Sequence, residues 1–185
     1  MKLRRNTVYL ATLIVLAVLA ALFVQMPQCG RIIYPYRYRQ YIETFALEYD
    51  VDPMLIAAII RVESKFHLDA VSSKGAIGLM QIMPETADWI ALQLKVSDFN
   101  TEMLHDPELN IRFGTWYVSS LAREFDGRLE VVIASYNGGR GMVKGWLENG
   151  TWSGLYSDRD DIPFIETRNF LHSVFVTYQR YRQLY

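Results

Sequence analysis

Cysteine is almost absent: Cys29 is the only one in 185 residues, so no disulfide can form within the chain and the core must hold by packing. The preceding Met26-Pro27-Gln28 also lacks the small residues that lipoprotein processing needs. His67, His105 and His172 are the only histidines and do not fall at metal-ligand spacing, so no metal or other cofactor is expected. A glycine-rich phosphate loop and a Ser-His-Asp set are missing too. Neither sign of charge is in excess, with a formal net charge of -1. That balance argues against nucleic acid as a partner and against a polybasic lipid-binding surface. Internal repeats, low-complexity runs and strand-like alternation are lacking as well.

What is present is apolar residue, 51% of the chain, and part of it is concentrated at the start. Val8 to Val24 carries no charge and is mostly Leu, Ala, Val and Ile. As a helix it spans roughly 26 Å, close to the ~30 Å of a hydrocarbon core. Lys2, Arg4 and Arg5 precede it and the next basic residue is Arg31, which predicts a cytoplasmic N-terminus and an extracytoplasmic remainder. No small-x-small cleavage site lies between Val24 and Arg31, so an uncleaved signal anchor is expected. The expected organisation is a cytoplasmic N-terminus at 1–7, a transmembrane anchor at 8–26, a juxtamembrane tether at 27–37 and one domain at 38–185.

Beyond the tether the period is helical. Tyr41, Phe45 and Tyr49 recur every fourth residue and predict a first helix. Asp52-Pro53 and Asp106-Pro107 each supply an N-cap followed by proline at the first helical position. They predict helices to about Ser64 and through Phe125, the latter with Leu109, Phe113, Tyr117, Leu121 and Phe125 on one face. Further helices are expected from Pro84 to Leu94, Leu129 to Tyr136, Met142 to Glu148 and Pro163 to Arg182. Gly138-Gly139 and Gly150 act as stops. Ser72 to Met83 and Thr151 to Ile162 read as the least helical parts, the first with room for a short hairpin. The fold class is mainly α.

Glu63 stands out on the second of these helices. It falls four and seven residues after Ile59 and Ile56, on their apolar face. A carboxyl group against such a wall loses solvation of its charged form, so its pKa should rise and it can hold a proton near neutral pH. A general acid needs that property. The plain alternative is a helix-ending glutamate that points at solvent or pairs with Lys65 or Lys74.

Four ordered motifs decide between these readings. They are Glu63-Ser64-x-Phe66, Gly78-Leu79-Met80-Gln81-Ile82-Met83-Pro84, Ala134-Ser135-Tyr136-Asn137-Gly138-Gly139 and Ile162-Pro163-Phe164-x-Glu166-Thr167-Arg168-Asn169. Together they resemble the soluble lytic transglycosylase (SLT) catalytic domain over roughly Arg39 to Tyr185. The resemblance implies a lysozyme-like α fold, akin to goose-type lysozyme, and cleavage of the MurNAc-GlcNAc β-1,4 bond of peptidoglycan with 1,6-anhydro-muramoyl ends. It places the catalytic glutamate on Glu63 and cleft residues on Ser72, Gln81, Met83, Tyr136 and Glu166.

The same resemblance implies that the Tyr136 hydroxyl lies near the catalytic carboxyl. Glu166 then positions substrate or pairs with Arg168, and Asn137 orients backbone or substrate near the catalytic end. Ser72 and Gln81 suit sugar hydroxyls and N-acetyl groups, and Met83 suits an apolar sugar subsite. Gly75 and Gly78 should supply positive φ or close backbone approach. The four tryptophans read most simply as core, although Trp146, Trp152 and Tyr156 could stack on sugars. Two other functions stay open: a muramidase on the same scaffold, in which water replaces the C6 hydroxyl, and a glycan-binding scaffold that does not cut. Glycan strands are the expected partner, with the membrane reached through the anchor. Ser135 before Tyr136, and Gly139-Arg140-Gly141 where the family often has a proline-containing turn, are departures that bear on loop geometry.

Overall fold

The computed structural model describes residues 9–18 and 27–185. They divide into a unit ending at Tyr36 and a larger one from Arg37 to Gln183. In the first, residues 9–18 are helical (α1) and Pro27–Ile33 forms α2. The anchor expected over 8–26 lies in part, at 8 and 19–26, outside the described residues. Among the described residues no helix is long and apolar enough to cross a membrane.

The second unit is helical throughout: α3 (Arg39–Tyr49), α4 (Pro53–Glu63), α5 (Pro84–Leu94), α6 (Pro107–Glu124), α7 (Leu129–Gly138), α8 (Arg140–Glu148) and α9 (Ile165–Leu184). Short 3-10 turns at Thr101–His105 and Tyr156–Asp161 link them. Both predicted caps form. Asp52 accepts from the Met54 N–H and Asp106 from the Leu109 N–H, each at 2.8 Å, with proline next in the chain. Asp52 also accepts from the Tyr178 hydroxyl at 2.6 Å, which ties the start of α4 to α9.

α4 is the central element, because every residue from Leu55 to Ile60 is buried. A helix that is apolar all round needs neighbours on all sides. α3 packs against α4, and α6 in turn packs on α3, α5 and α7. The tyrosine stripe of α3 is only half buried: Ile42, Phe45 and Ala46 face the core, while Tyr49 keeps its hydroxyl where Arg112 can donate to it at 3.1 Å.

The segment between α4 and α5 holds no strand. Where the sequence left room for a short hairpin there are isolated bridges, Val71 with Ile77 and Ile77 with Ile82. Ile77 and Ile82 exchange both backbone hydrogen bonds at 3.0 Å, and between them Gly78 and Gln81 take positive φ, 78° and 49°. The reversal is too tight for a ladder to propagate. A Cβ on Gly78 would lie 2.5 Å from the Leu104 carbonyl oxygen, so only glycine fits there.

Candidate active site

Glu63 is the last residue of α4. The chain leaves it through Ser64 into two consecutive left-handed residues, Lys65 (φ 53°) and Phe66 (φ 64°). Bulky residues adopt this conformation at a cost of about 1–2 kcal/mol each. Burial of the Phe66 ring, 2% exposed, offsets that cost and explains why an aromatic follows the glutamate at this spacing. The helix stops at Glu63 and its carboxyl reaches a cleft.

That cleft is a cavity of 390 Å³ lined by Glu63, Ser72, Lys74, Gln81, Met83, Tyr136, Asn137 and Glu166, among others. The structure therefore brings together all seven residues singled out in the sequence. Behind Glu63 stand Ile56 and Ile59, both fully buried. Among the described residues no hydrogen bond or ion pair reaches the Glu63 carboxyl. Burial, and then the nearby negative charge of Glu166, push its pKa up to about 8. It is thus a neutral acid at pH 7.

Tyr136 is held between Tyr117 and Phe170, with ring centroids 5.6 and 6.3 Å away. Its hydroxyl donates to the Met80 carbonyl oxygen at 2.8 Å. Having spent its hydrogen there, the hydroxyl can only accept from Glu63 or a substrate, which suits a protonated acid better than a carboxylate. Burial, reinforced by the charge of Glu63, raises the tyrosine's own pKa well above its usual value.

Gln81 donates from Nε2 to the carbonyl oxygens of Ala70 (2.9 Å) and Gly78 (3.0 Å). Two acceptors on one nitrogen fix the amide's orientation and leave Oε1 as the group free for a ligand. Asn137 Oδ1 accepts from the Thr167 hydroxyl at 2.8 Å, so its NH2 remains to donate. Ser72 is the loop's own cap: its Oγ accepts from the Ala76 N–H at 3.0 Å. Met83 is the N-cap residue of α5.

Glu166 does not pair with Arg168. It meets Lys74 Nζ at 2.6 Å, while Arg168 donates to the Ile162 carbonyl oxygen at 2.8 Å. Both members of the Lys74–Glu166 pair are largely exposed, so it contributes little stability, about 0–1 kcal/mol, but it links the 72–78 loop to α9 beside the cavity. Trp146 and Trp152, 5% and 1% exposed, are core residues and offer no face to a sugar.

A family model, the transglycosylase SLT domain, matches residues 40–156. The chain belongs to this family. Soluble lytic murein transglycosylase of Salmonella typhimurium is 32% identical over 151 residues, 80% of this chain and 23% of the relative. Membrane-bound lytic murein transglycosylase C of Photorhabdus laumondii is 37% identical over 117 residues, 58% of this chain and 33% of the relative. Among solved structures, the 70 kDa soluble lytic transglycosylase of Escherichia coli superposes with a TM-score of 0.78 at 30% identity, over 83% of this chain and 25% of that one. The chain spans about a quarter of the length of the soluble relatives it matches.

The SLT match ends at Tyr156, yet α9 contributes Glu166 to the cavity and Thr167 to Asn137. Two structural supports of the site escaped the sequence reading. Asn110 of α6 is fully buried; its Oδ1 accepts from the Met80 N–H at 2.8 Å, and its Nδ2 donates to the carbonyls of Ile77 (3.0 Å) and Leu104 (2.9 Å). Thr167, 1% exposed, orients Asn137. A polar residue between apolar positions of α6 was the available signal for Asn110, but its partners Met80 and Ile77 lie 30 and 33 positions away and no periodicity points to them.

Proposed function

We propose that this chain is a peptidoglycan lytic transglycosylase that cleaves the MurNAc-GlcNAc β-1,4 bond and leaves 1,6-anhydro-muramoyl ends. The observation that carries this reading is the Glu63 carboxyl group, kept protonated to about pH 8 in a cavity that also presents the amides of Gln81 and Asn137 and the hydroxyls of Ser72 and Tyr136. Glu63 donates its proton to the glycosidic oxygen as the bond to C1 breaks. The substrate's N-acetyl oxygen stabilises the cationic centre. The Glu63 carboxylate then takes the proton of the C6 hydroxyl as that oxygen bonds to C1, restoring the acid without consuming water. Glu166, exposed and tied to Lys74, is left to position substrate rather than attack C1.

Gln81 and Asn137 suit an N-acetyl group, whose N–H needs an acceptor and whose carbonyl needs a donor. Tyr136, Ser72 and Met83 complete the binding wall. Digestion of purified peptidoglycan followed by mass spectrometry of the released muropeptides tests the reaction. Anhydro ends are expected; reducing ends would make the enzyme a muramidase, and no release would leave a glycan-binding protein.

The pH profile is a second expected result. Because the acid must be protonated, activity should fall as pH rises through about 8. Glu166→Gln removes the neighbouring negative charge, which favours ionisation of Glu63, so its pKa falls and the alkaline limb moves to lower pH. An unmoved limb in that variant would separate Glu63 from Glu166 electrostatically.

The uncharged run from Val8 to Val24, with Lys2, Arg4 and Arg5 before it, supports a single-pass anchor over 8–26. It would hold a catalytic domain at 38–185 on the extracytoplasmic side through the tether at 27–37, within reach of wall near the membrane. Fractionation checks this: the full chain should stay with membranes after alkaline carbonate washing, and a chain starting at residue 27 should not.

A further inference from the structure

The catalytic cavity continues away from Glu63. Gln81, Met83, Tyr136 and Asn137 also line an adjoining cavity of 250 Å³. That one shares Thr86 and Tyr117 with a third, of 210 Å³, whose other walls are Glu85, Trp89 and Arg140. Shared walls thus join the three in succession from the acid to Arg140. This far end differs from the middle of the groove in carrying charge of both signs.

Arg140 reaches it because Gly139, at φ 85°, turns the chain between α7 and α8 and leaves Arg140 as the first residue of α8. Its guanidinium carbon sits 4.9 Å above the Trp89 ring. Nη1 lies 3.5 Å from Glu124 Oε2, at the limit of a hydrogen bond. Among the described residues no other hydrogen bond engages the guanidinium, so most of its five N–H donors remain for a ligand. Trp89 is braced by Trp116 (5.3 Å) and Tyr117 (6.2 Å), which hold the platform beneath the cation rigid.

The chemistry of this end is not that of a sugar platform, since the cation covers a face of Trp89 on which a sugar ring could stack. A planar guanidinium held on an aromatic ring presents its edge to a carboxylate, the geometry of a bidentate pair. Glu85, across the same cavity, complements an ammonium group. In a wall polymer the unit that carries carboxylates and an amine together is the peptide borne by the lactyl side chain. We infer that Arg140, Glu85 and Trp89 form a binding site for the carboxylate-bearing stem peptide of the glycan strand, at the end of the groove remote from Glu63. The site rests on the reading of the groove as a peptidoglycan cleft. It makes Arg140 a specificity residue with no part in proton transfer.

Calorimetric binding to the full chain separates this proposal from the catalytic one, because it needs no turnover. The probes are a disaccharide-peptide fragment and the same disaccharide stripped of its peptide, whose lactyl carboxylate remains. The parent protein should bind the peptide-bearing fragment about tenfold more tightly. Arg140→Gln, an exposed change, should abolish the difference without altering affinity for the bare disaccharide, and Arg140→Lys should restore part of it. Equal affinity of the parent for both fragments, no binding of either, or a difference that survives Arg140→Gln would overturn the site. Binding through Arg140 in a protein that releases nothing from the wall would instead overturn the transglycosylase reading and leave the peptide site standing.

Discussion

Glu63→Gln should lose wall-cleaving activity by roughly 10³-fold and yet be more stable than the parent at alkaline pH. The first effect follows from removing the proton donor while keeping the shape of the side chain. The second follows from linkage. In the native state Glu63 keeps its proton to about pH 8, whereas in the unfolded chain it ionises near ~4.3. Between those values folding binds a proton, so this group's contribution to stability falls as pH rises through the window. Glutamine is neutral in both states and lacks that slope. Discounted for the solvent that enters the cleft, the gain at pH 8 is about 2 kcal/mol, or roughly 4–8 °C in Tm. Thermal unfolding at pH 5 and pH 8, beside a digest of purified wall, reads both effects. An active variant would remove Glu63 as the acid; an inactive one without the stability gain would show that its carboxyl is charged when folded.

Asn110→Leu should be the most damaging change outside the cavity. It strands the Met80 N–H and the carbonyls of Ile77 and Leu104, and each buried group left unpaired costs about 1–3 kcal/mol. A net loss of about 3 kcal/mol corresponds to roughly 6–12 °C in Tm for a domain of this size. Activity should fall beyond the stability loss, because Met80 also accepts the Tyr136 hydroxyl and a displaced 77–82 turn moves both Tyr136 and Gln81. Asn110→Asp, which can still accept from Met80 but cannot donate, should fall between the two. Unchanged melting of Asn110→Leu would show that the turn holds itself. Measuring kcat on wall at a temperature where each variant is fully folded isolates the effect on the site.

The sequence alone determined the helical order of the domain and the place of Glu63 at the end of an apolar helix face. Asp52-Pro53 and Asp106-Pro107 are local signals, since a cap and a proline act within one turn of helix, and both open helices where the pattern places them. Glu63 was legible because helical spacing puts it on the face of Ile56 and Ile59, which are indeed buried, and because motifs from four parts of the chain agree. Gly78 was legible as a close approach, although not what it approaches.

Tertiary structure decided the partnerships. Glu166 sits two residues from Arg168 in sequence, yet its charge is met by Lys74, 92 positions away. Tyr136 lines the same cavity as Glu63, but the acceptor of its hydroxyl hydrogen bond is a carbonyl oxygen 56 positions back. Asn110 joins the turn under the cavity to α6 by bonds that no periodicity encodes. The physical reason is common to all three: capping and helical faces are set by backbone geometry within a few residues, whereas the partner of a polar group depends on which distant donors and acceptors the packed core brings within 3 Å.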